Sequence, residues 1–303
     1  MPQPELEPIF TCARANVLGV GVHALTMSEA LQFIASALLG EIKGYVCVTG
    51  VHGIMEAQRD PLFKDILNHS FLTTPDGMPT VWVGHWQGFL RMQRVYGPDL
   101  MLEVCRLSLQ HGYTHFLYGG RPGVAARLQV LLQQRFPGVR ILGTYTPPFR
   151  FLDATEEHDL LQTVSALKPD CFWVGLSTPK QERFMADFVG RLETRLMFGV
   201  GAAFDINAGL IQDSPDWLKK AGLQWAHRLA QEPGRLVSRY LVNNPSFVLR
   251  IVPQLLGLRK YLSPPQFCLG IRNGRPARRT SATPHLAPHS VPSSHEAPAD
   301  QAI

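Results

Sequence analysis

Residues 73–79 read T-T-P-D-G-M-P and set one acidic side chain, Asp76, on a tight loop behind the apolar pair Phe71 and Leu72. Pro75 restricts the backbone before the acid, and Gly77 lets the chain turn after it. A carboxylate held this way can be a general base, a contact for a nucleotide sugar, or a turn former with purely local hydrogen bonds. Four further loops have the same character: T-G-V-H-G from Thr49, G-G-R-P-G from Gly119, S-T-P-K-Q-E from Ser177 and G-A-A-F-D from Gly201.

These loops supply Thr49, Gly119, Gly120, Gln181 and Asp205 as candidate substrate contacts. All but Thr49 also have a purely structural reading. Thr178 and Gln181 have capping-box spacing, and Asp205 fits a turn or cap. Gly119 and Gly120 can serve backbone freedom alone, and His52 can be a satisfied core histidine. Three basic side chains complete the set: Arg228, Arg235 and Arg239. Their spacing aligns them on one helical face if the segment is continuous, whereas the plain alternative is a solvated basic surface.

Absent motifs narrow the chemistry. The chain has no P-loop, no H-E-x-x-H, no G-x-S-x-G and no G-x-G-x-x-G. It also lacks a D-x-D pair, the usual carboxylate arrangement for holding a metal on a diphosphate. A diphosphate bound without metal calls for arginines, backbone amides and helix N-termini. The sequence provides all three, so neither metal nor cofactor is expected.

The elements that must position these loops follow from periodicity. Apolar runs at 17–22, 45–49, 71–73, 114–118, 139–143, 170–176 and 196–200 read as strands. Helical stretches separate most of them, opened by T-M-S-E at Thr26, by Asp60-Pro61, by Pro98 and by D-A-T-E at Asp153. This alternation predicts an α/β fold, a mostly parallel sheet with helices on both faces. Ligands in such sheets bind beyond the carboxyl ends of the strands, where all five loops fall.

After Pro215 the pattern becomes wholly helical. Separate helices are expected at 217–221, 224–230, 233–242 and 245–261, the last capped by Asn244 and started by Pro245. Its apolar face, with Phe247, Ile251, Leu255, Leu258 and Leu262, suits packing on the body, on a partner subunit or on anionic lipid. The expected organisation is an N-terminal extension (1–15), the α/β domain (16–213), a basic helical appendage (214–262) and a disordered tail (263–303).

The 303 residues carry a net charge of +5. That balance is split: residues 1–216 sum to −4 and residues 217–303 to +9. A basic section on an acidic body points to an anionic partner. Five scattered cysteines without a C-x-x-C pair read as buried thiols in a reducing compartment. The N-terminus is unlike a signal peptide, and uncharged runs such as 77–90 fall short of the ~18 apolar residues a membrane span needs. A cytoplasmic protein, peripheral to the inner face of the cell membrane, is the expectation.

Taken in order, P-D-G-M-P, F-L-Y-G-G-R-P-G-V-A, V-G-L-S-T-P-K-Q-E, G-V-G-A-A-F-D-I-N-A-G, P-D-W, G-L-Q-W-A-H-R-L, E-P-G-R and R-Y-L-V-N-N-P resemble the WecG/TagA/CpsF family of bacterial glycosyltransferases. The resemblance runs from about residue 16 to residue 262. It implies a Rossmann-like domain with a C-terminal helical appendage that completes the active site. It also implies inverting, metal-independent sugar transfer from a UDP-sugar donor to a lipid-linked saccharide acceptor. On this resemblance Asp76 is the general base, Thr49 and Gln181 are active-site contacts, and Arg228, Arg235 and Arg239 are the appendage arginines. Many members carry T-x-N at the Thr49 loop, whereas here Val51 replaces the asparagine. The chain thus looks more like exopolysaccharide-assembly members that use a hexose, with an N-acetylmannosaminyl-type transferase as the alternative. Nucleic acid is not an expected partner, and a homo-oligomer stays open. The sheet pattern alone also suits a nucleotide-binding oxidoreductase, and the basic helices alone suit a non-catalytic membrane adaptor.

Overall fold

The structure, a computed structural model, describes residues 6–272, with the side chain of Arg235 outside the description. The chain opens with β1 (Glu7–Thr11), then β2 (Arg14–Val17) and β3 (Val20–His23), α1 (Met27–Leu39) and β4 (Ile42–Thr49). Next come α2 (Val51–Arg59), α3 (Pro61–Asn68), β5 (Leu72–Pro75), α4 (Met78–Trp86) and α5 (Gly97–His111). The middle holds β6 (Thr114–Gly119), α6 (Val124–Arg135), β7 (Arg140–Tyr145), α7 (Ala154–Leu167) and β8 (Cys171–Gly175). It continues with α8 (Lys180–Phe188), β9 (Leu196–Gly199), α9 (Ala203–Asn207), α10 (Asp216–Lys220), α11 (Gln224–Gln231), α12 (Pro233–Leu255) and β10 (Phe267–Arg272).

The main sheet runs β1-β10-β4-β9-β8-β6-β7, with β5 also paired to β4. Strands β4 to β9 pair in parallel, and only β1 and β10 are antiparallel. Side chains alternate across this sheet. Val46, Leu117, Trp173 and Phe198 join the core beneath α1, α5 and α6. Tyr45, Cys47, Phe116, Tyr118, Phe172, Val174 and Met197 join the opposite core with α2, α3, α7 and α8. Strands buried on both faces therefore read as continuous apolar runs. This is the α/β, Rossmann-like architecture expected, with helices on both faces and helices following at the C-terminal end.

The expected helix starts are formed as chemistry dictates. Thr26 with Glu29, and Asp153 with Glu156, make reciprocal capping boxes. Asp60 caps α3 in front of Pro61.

Three expectations need correction. The apolar run at 17–22 is a hairpin outside the main sheet, turning at Leu18 and Gly19 with φ of 55° and 84°. A leucine there gives none of the usual turn signal.

Residues 233–255 form one helix through Pro245, not two. Pro245 removes the usual donor to the Leu241 carbonyl and Pro253 that to the Leu249 carbonyl, both on exposed residues where water can replace the bond. Buried Leu236, Asn243, Phe247 and Ile251 hold a single helical face against the body.

Finally, the stretch expected as a disordered tail begins with β10, which pairs Cys268 with Phe10 and Ile271 with Lys43. Its alternating pattern was masked by flanking prolines. The remainder of that stretch, 273–303, and residues 1–5 lie outside the described residues. Among the described residues no helix is long and apolar enough to cross a membrane.

Candidate active site

Strands β4 and β5 run side by side, pairing Thr49 with Pro75, so their two loops leave the sheet together. The amide of Asp76 donates to the Thr49 carbonyl at 3.1 Å. Gly50 stands between them: a Cβ there would lie 3.7 Å from Asp76 Oδ2. The Gly97 amide, at the start of α5, donates to Asp76 Oδ1 at 3.4 Å. Burial pushes the Asp76 carboxyl above its ordinary value, while Arg94, the Gly97 amide and Arg228 pull it back.

Asp76 lines a cavity of about 690 Å³ that the α/β body shares with α10, α11 and α12. Thr49, Gln181, Arg228 and Arg239 line it too, so five of the candidate residues meet there. Asp76 is the only carboxylate among the lining residues, against Arg94, Lys219, Arg228 and Arg239 as cations. Four lining atoms are buried without a hydrogen-bond partner among the described residues: Thr49 Oγ1, Gln181 Oε1, Gln224 Nε2 and Arg228 Nε. Thr49 and Gln181 are only 2% and 3% exposed. Unsatisfied groups at such depth are costly unless a ligand or water completes them.

Gly119, Gly120 and Asp205 are not among the cavity-lining residues. Gly119 has φ 121°, and a Cβ on it would stand 2.7 Å from the Gly175 carbonyl carbon. Backbone freedom is thus what this position demands. Asp205 sits in the first turn of α9 and receives Arg121 at 3.4 Å. Arg235 belongs to α12, but its side chain lies outside the described residues.

The capping-box reading of Thr178 and Gln181 is not realised. Helix α8 starts at Lys180 without a side-chain cap. Thr178 Oγ1 and Gln181 Nε2 instead both donate to Glu182 Oε1, at 2.8 and 3.0 Å.

His52 has the hydrogen bonds of a satisfied histidine, but it is half-buried and lines the cavity instead of lying in the core. Asn243 Nδ2 donates to its Nδ1 at 3.0 Å, and its Nε2 faces the Thr178 carbonyl at 3.4 Å. Burial, aided by Arg239, lowers it to about 4, so the ring is neutral near pH 7.

Several cavity residues carried no signal in the sequence. Arg94 donates from Nε to the Asp76 carbonyl and from Nη2 to Gln224 Oε1, both at 2.6 Å. Its guanidinium lies over the Tyr96 ring, 3.9 Å from the centroid. Tyr96 donates to Asp213 at 2.9 Å, and Lys219 donates to the same carboxylate at 2.6 Å.

Away from the cavity, Cys12, His23 and Cys268 bring three potential ligand atoms within 4.8 Å of one another. His23 Nδ1 accepts the Thr73 amide at 2.8 Å, which leaves the ring proton on Nε2, the nitrogen facing Cys268. Arg14 also lies 3.4 Å from this ring. That arrangement opposes a bound cation, and the cluster is a packed polar core.

The model of the glycosyl transferase WecG/TagA/CpsF family matches residues 15–261. An N-acetylglucosaminyldiphosphoundecaprenol N-acetyl-beta-D-mannosaminyltransferase of Bacillus spizizenii is 26% identical over 229 residues, covering 74% of this chain and 86% of that protein. A protein of the same name from Staphylococcus aureus (strain MW2) is 22% identical over 250 residues, covering 82% and 96%.

Proposed function

The chain belongs to the glycosyl transferase WecG/TagA/CpsF family and is a glycosyltransferase, and from that premise we propose that it moves a sugar from a UDP-sugar donor to a lipid-linked saccharide, with inversion and without a metal. The observation that carries this reading is the convergence of one carboxylate and four cationic side chains on one cavity. The similar proteins are named for a polyprenyl-diphosphate-linked acceptor, which supports the acceptor class.

In the proposed reaction the acceptor hydroxyl attacks the anomeric carbon of the donor while the bond from that carbon to the diphosphate oxygen breaks. Asp76 takes the hydroxyl proton, acting as general base. The departing UDP gains negative charge, which Arg94, Lys219, Arg228 and Arg239 stabilise as fixed cations. A lone carboxylate among guanidinium groups is a poor divalent-cation site, which supports the metal-free mechanism. Thr49 and Gln181 supply polar contacts from the cavity wall. Gly119 at the end of β6, Gly120 after it and Asp205 in the first turn of α9 are assigned to the edge of the donor site, outside the cavity lining.

The appendage is the second half of this site. Helix α12 is pinned to α2 by Arg59, which donates to Asn243 at 2.8 Å, and to the hairpin by Gln254, which accepts from Leu18 at 2.9 Å. Exposed Leu241 and Leu249 on this helix and Leu256 at its C-terminal cap, with Trp86 beside it, suit contact with the membrane that holds the acceptor. We assign the enzyme to the cytoplasmic face of that membrane, in cell-surface polysaccharide synthesis. Val51 lines the cavity where many family members carry asparagine, and loss of that amide favours a hexose over an N-acetylated sugar. A panel of UDP-sugars, read by UDP release with a polyprenyl-diphosphate saccharide, tests the proposal. Release with a UDP-hexose supports it; release only with N-acetylated donors refutes the hexose assignment, and none with any donor refutes the whole.

A further inference from the structure

Glu182 is the least expected side chain near the cavity. It is 1% exposed and does not line the cavity, so it cannot touch a ligand held there. It has no ion-pair partner among the described residues, and burial pushes its carboxyl above the ordinary range. A buried carboxyl group without a cation is expensive to keep. Apart from its own backbone amide, its hydrogen bonds concern two neighbours: Thr178 Oγ1 and Gln181 Nε2 both donate to Glu182 Oε1.

Those two bonds decide the orientation of an amide. Glu182 Oε1 accepts both, and it can do so whether or not the other oxygen carries a proton. Only the nitrogen of the Gln181 carboxamide can serve as donor there, so chemistry assigns its two ends. The opposite end, Oε1, is the buried oxygen without a partner. Two glycines close the other side. A Cβ on Gly199 would approach Gln181 Nε2 to 3.3 Å, and one on Gly201 would approach Oε1 to 3.3 Å. The amide is therefore gripped between Glu182 and the end of β9.

We propose that Glu182 is the positioning residue that locks the Gln181 carboxamide with its oxygen toward the substrate, so that this wall of the cavity recognises a hydroxyl or N–H donor on the sugar nucleotide. The kinetic consequence rests on the transferase reading; the locked amide does not. A freed Gln181 turns its NH₂ to the substrate part of the time, and two donors then face each other.

Glu182→Leu and Glu182→Gln test the assignment. Leucine removes the acceptor and also removes the buried carboxyl group, a replacement that proteins often tolerate without loss of stability. Glutamine retains one acceptor oxygen for Thr178 and Gln181. In protein labelled with ¹⁵N-glutamine, the Gln181 side-chain NH₂, assigned with Gln181→Ala, is expected to be dispersed and slow to exchange in the wild type. That protection is lost in Glu182→Leu and restored in Glu182→Gln. The donor KM rises about tenfold in the leucine variant, the loss of one hydrogen bond, with a smaller change in kcat. It returns to within about threefold of wild type in the glutamine variant. An unprotected Gln181 amide in the wild type, or an unchanged amide and KM in Glu182→Leu, overturns the proposal. So does activity that falls equally in both variants along with Tm. Absence of transfer by the wild type, with the amide locked, refutes the transferase assignment and leaves the locked amide standing.

Discussion

Arg94 Nε donates to the backbone carbonyl of Asp76 at 2.6 Å, so the loop that carries the carboxylate is held by a side chain from ahead of α5. The same guanidinium reaches Gln224 in the appendage at 2.6 Å. One planar group thus links the proposed base to the element that closes the cavity, and it lowers the Asp76 pKa against the effect of burial.

Arg94→Lys should fail to replace it, because an ammonium cannot serve both directions of a guanidinium fork. We expect kcat/KM to fall about 10- to 100-fold, the value of one or two hydrogen bonds to a charged group. Asp76 loses a neighbouring positive charge in Arg94→Gln, so its folded pKa rises. A base works only when ionised, so the acid limb of the kcat/KM profile should move to higher pH. An acid limb at the wild-type position contradicts this link.

Chelation offers an independent check. Transfer should persist in excess EDTA, since the cavity lining offers a single carboxylate. Strong inhibition that manganese reverses would show that a metal takes part.

Two histidines predict how stability varies with pH. His52 and His115 are each lowered by burial to about 4, from an ordinary value of 6.5. Between those values the unfolded chain binds protons that the native state refuses. Stability is therefore full above pH 6.5 and is lost on acidification toward 4, at up to ~1.4 kcal/mol per pH unit for each group. Urea unfolding across this window should show the slope. His115→Gln, which keeps an acceptor for the Trp173 indole now donating at 3.0 Å, should flatten it. An equal slope in that variant would remove His115 from the account.

Gly119 and Gly123 separate strain from crowding. Both have positive φ, but a Cβ on Gly119 meets the Gly175 backbone at 2.7 Å, whereas one on Gly123 meets nothing within 4 Å. Gly123→Ala should cost about 1 kcal/mol for its left-handed backbone alone. Gly119→Ala should cost about 3 kcal/mol or more, because two strands must also move apart. Similar melting temperatures for the two variants would contradict the packing described for β6 and β8.

Much of this architecture was legible because its signals are local. Thr26 with Glu29, Asp60 with Pro61, and Asp153 with Glu156 encode helix starts within four residues. The alternating strands and helices place the five loops on one edge. What escaped depends on distant partners. Helix α12 continues through Pro245 because Asn243, Phe247 and Ile251 are buried on one face, which outweighs one missing backbone bond. Strand β10 exists because β1 and β4 pair with it. The sequence leaves Gln181 between a substrate contact and a helix cap, and only its contact with Glu182 sets the cap aside. Arg94 gave no signal because its partners, Asp76 and Gln224, lie on separate elements. The carboxyl-edge rule also gathered more than the cavity does: Gly119, Gly120 and Asp205 share the edge with Asp76 without lining its cavity.

The role of Asp76 can be measured directly. Asp76→Asn keeps the shape of the side chain and can still accept at Oδ1 from the Gly97 amide, but it cannot take a proton. With a UDP-sugar and a lipid-linked saccharide shown to turn over in the wild type, kcat should fall about 10²- to 10⁴-fold, while donor affinity by calorimetry stays within about threefold. Transfer at the wild-type rate by the asparagine variant would contradict the assignment of Asp76 as the base.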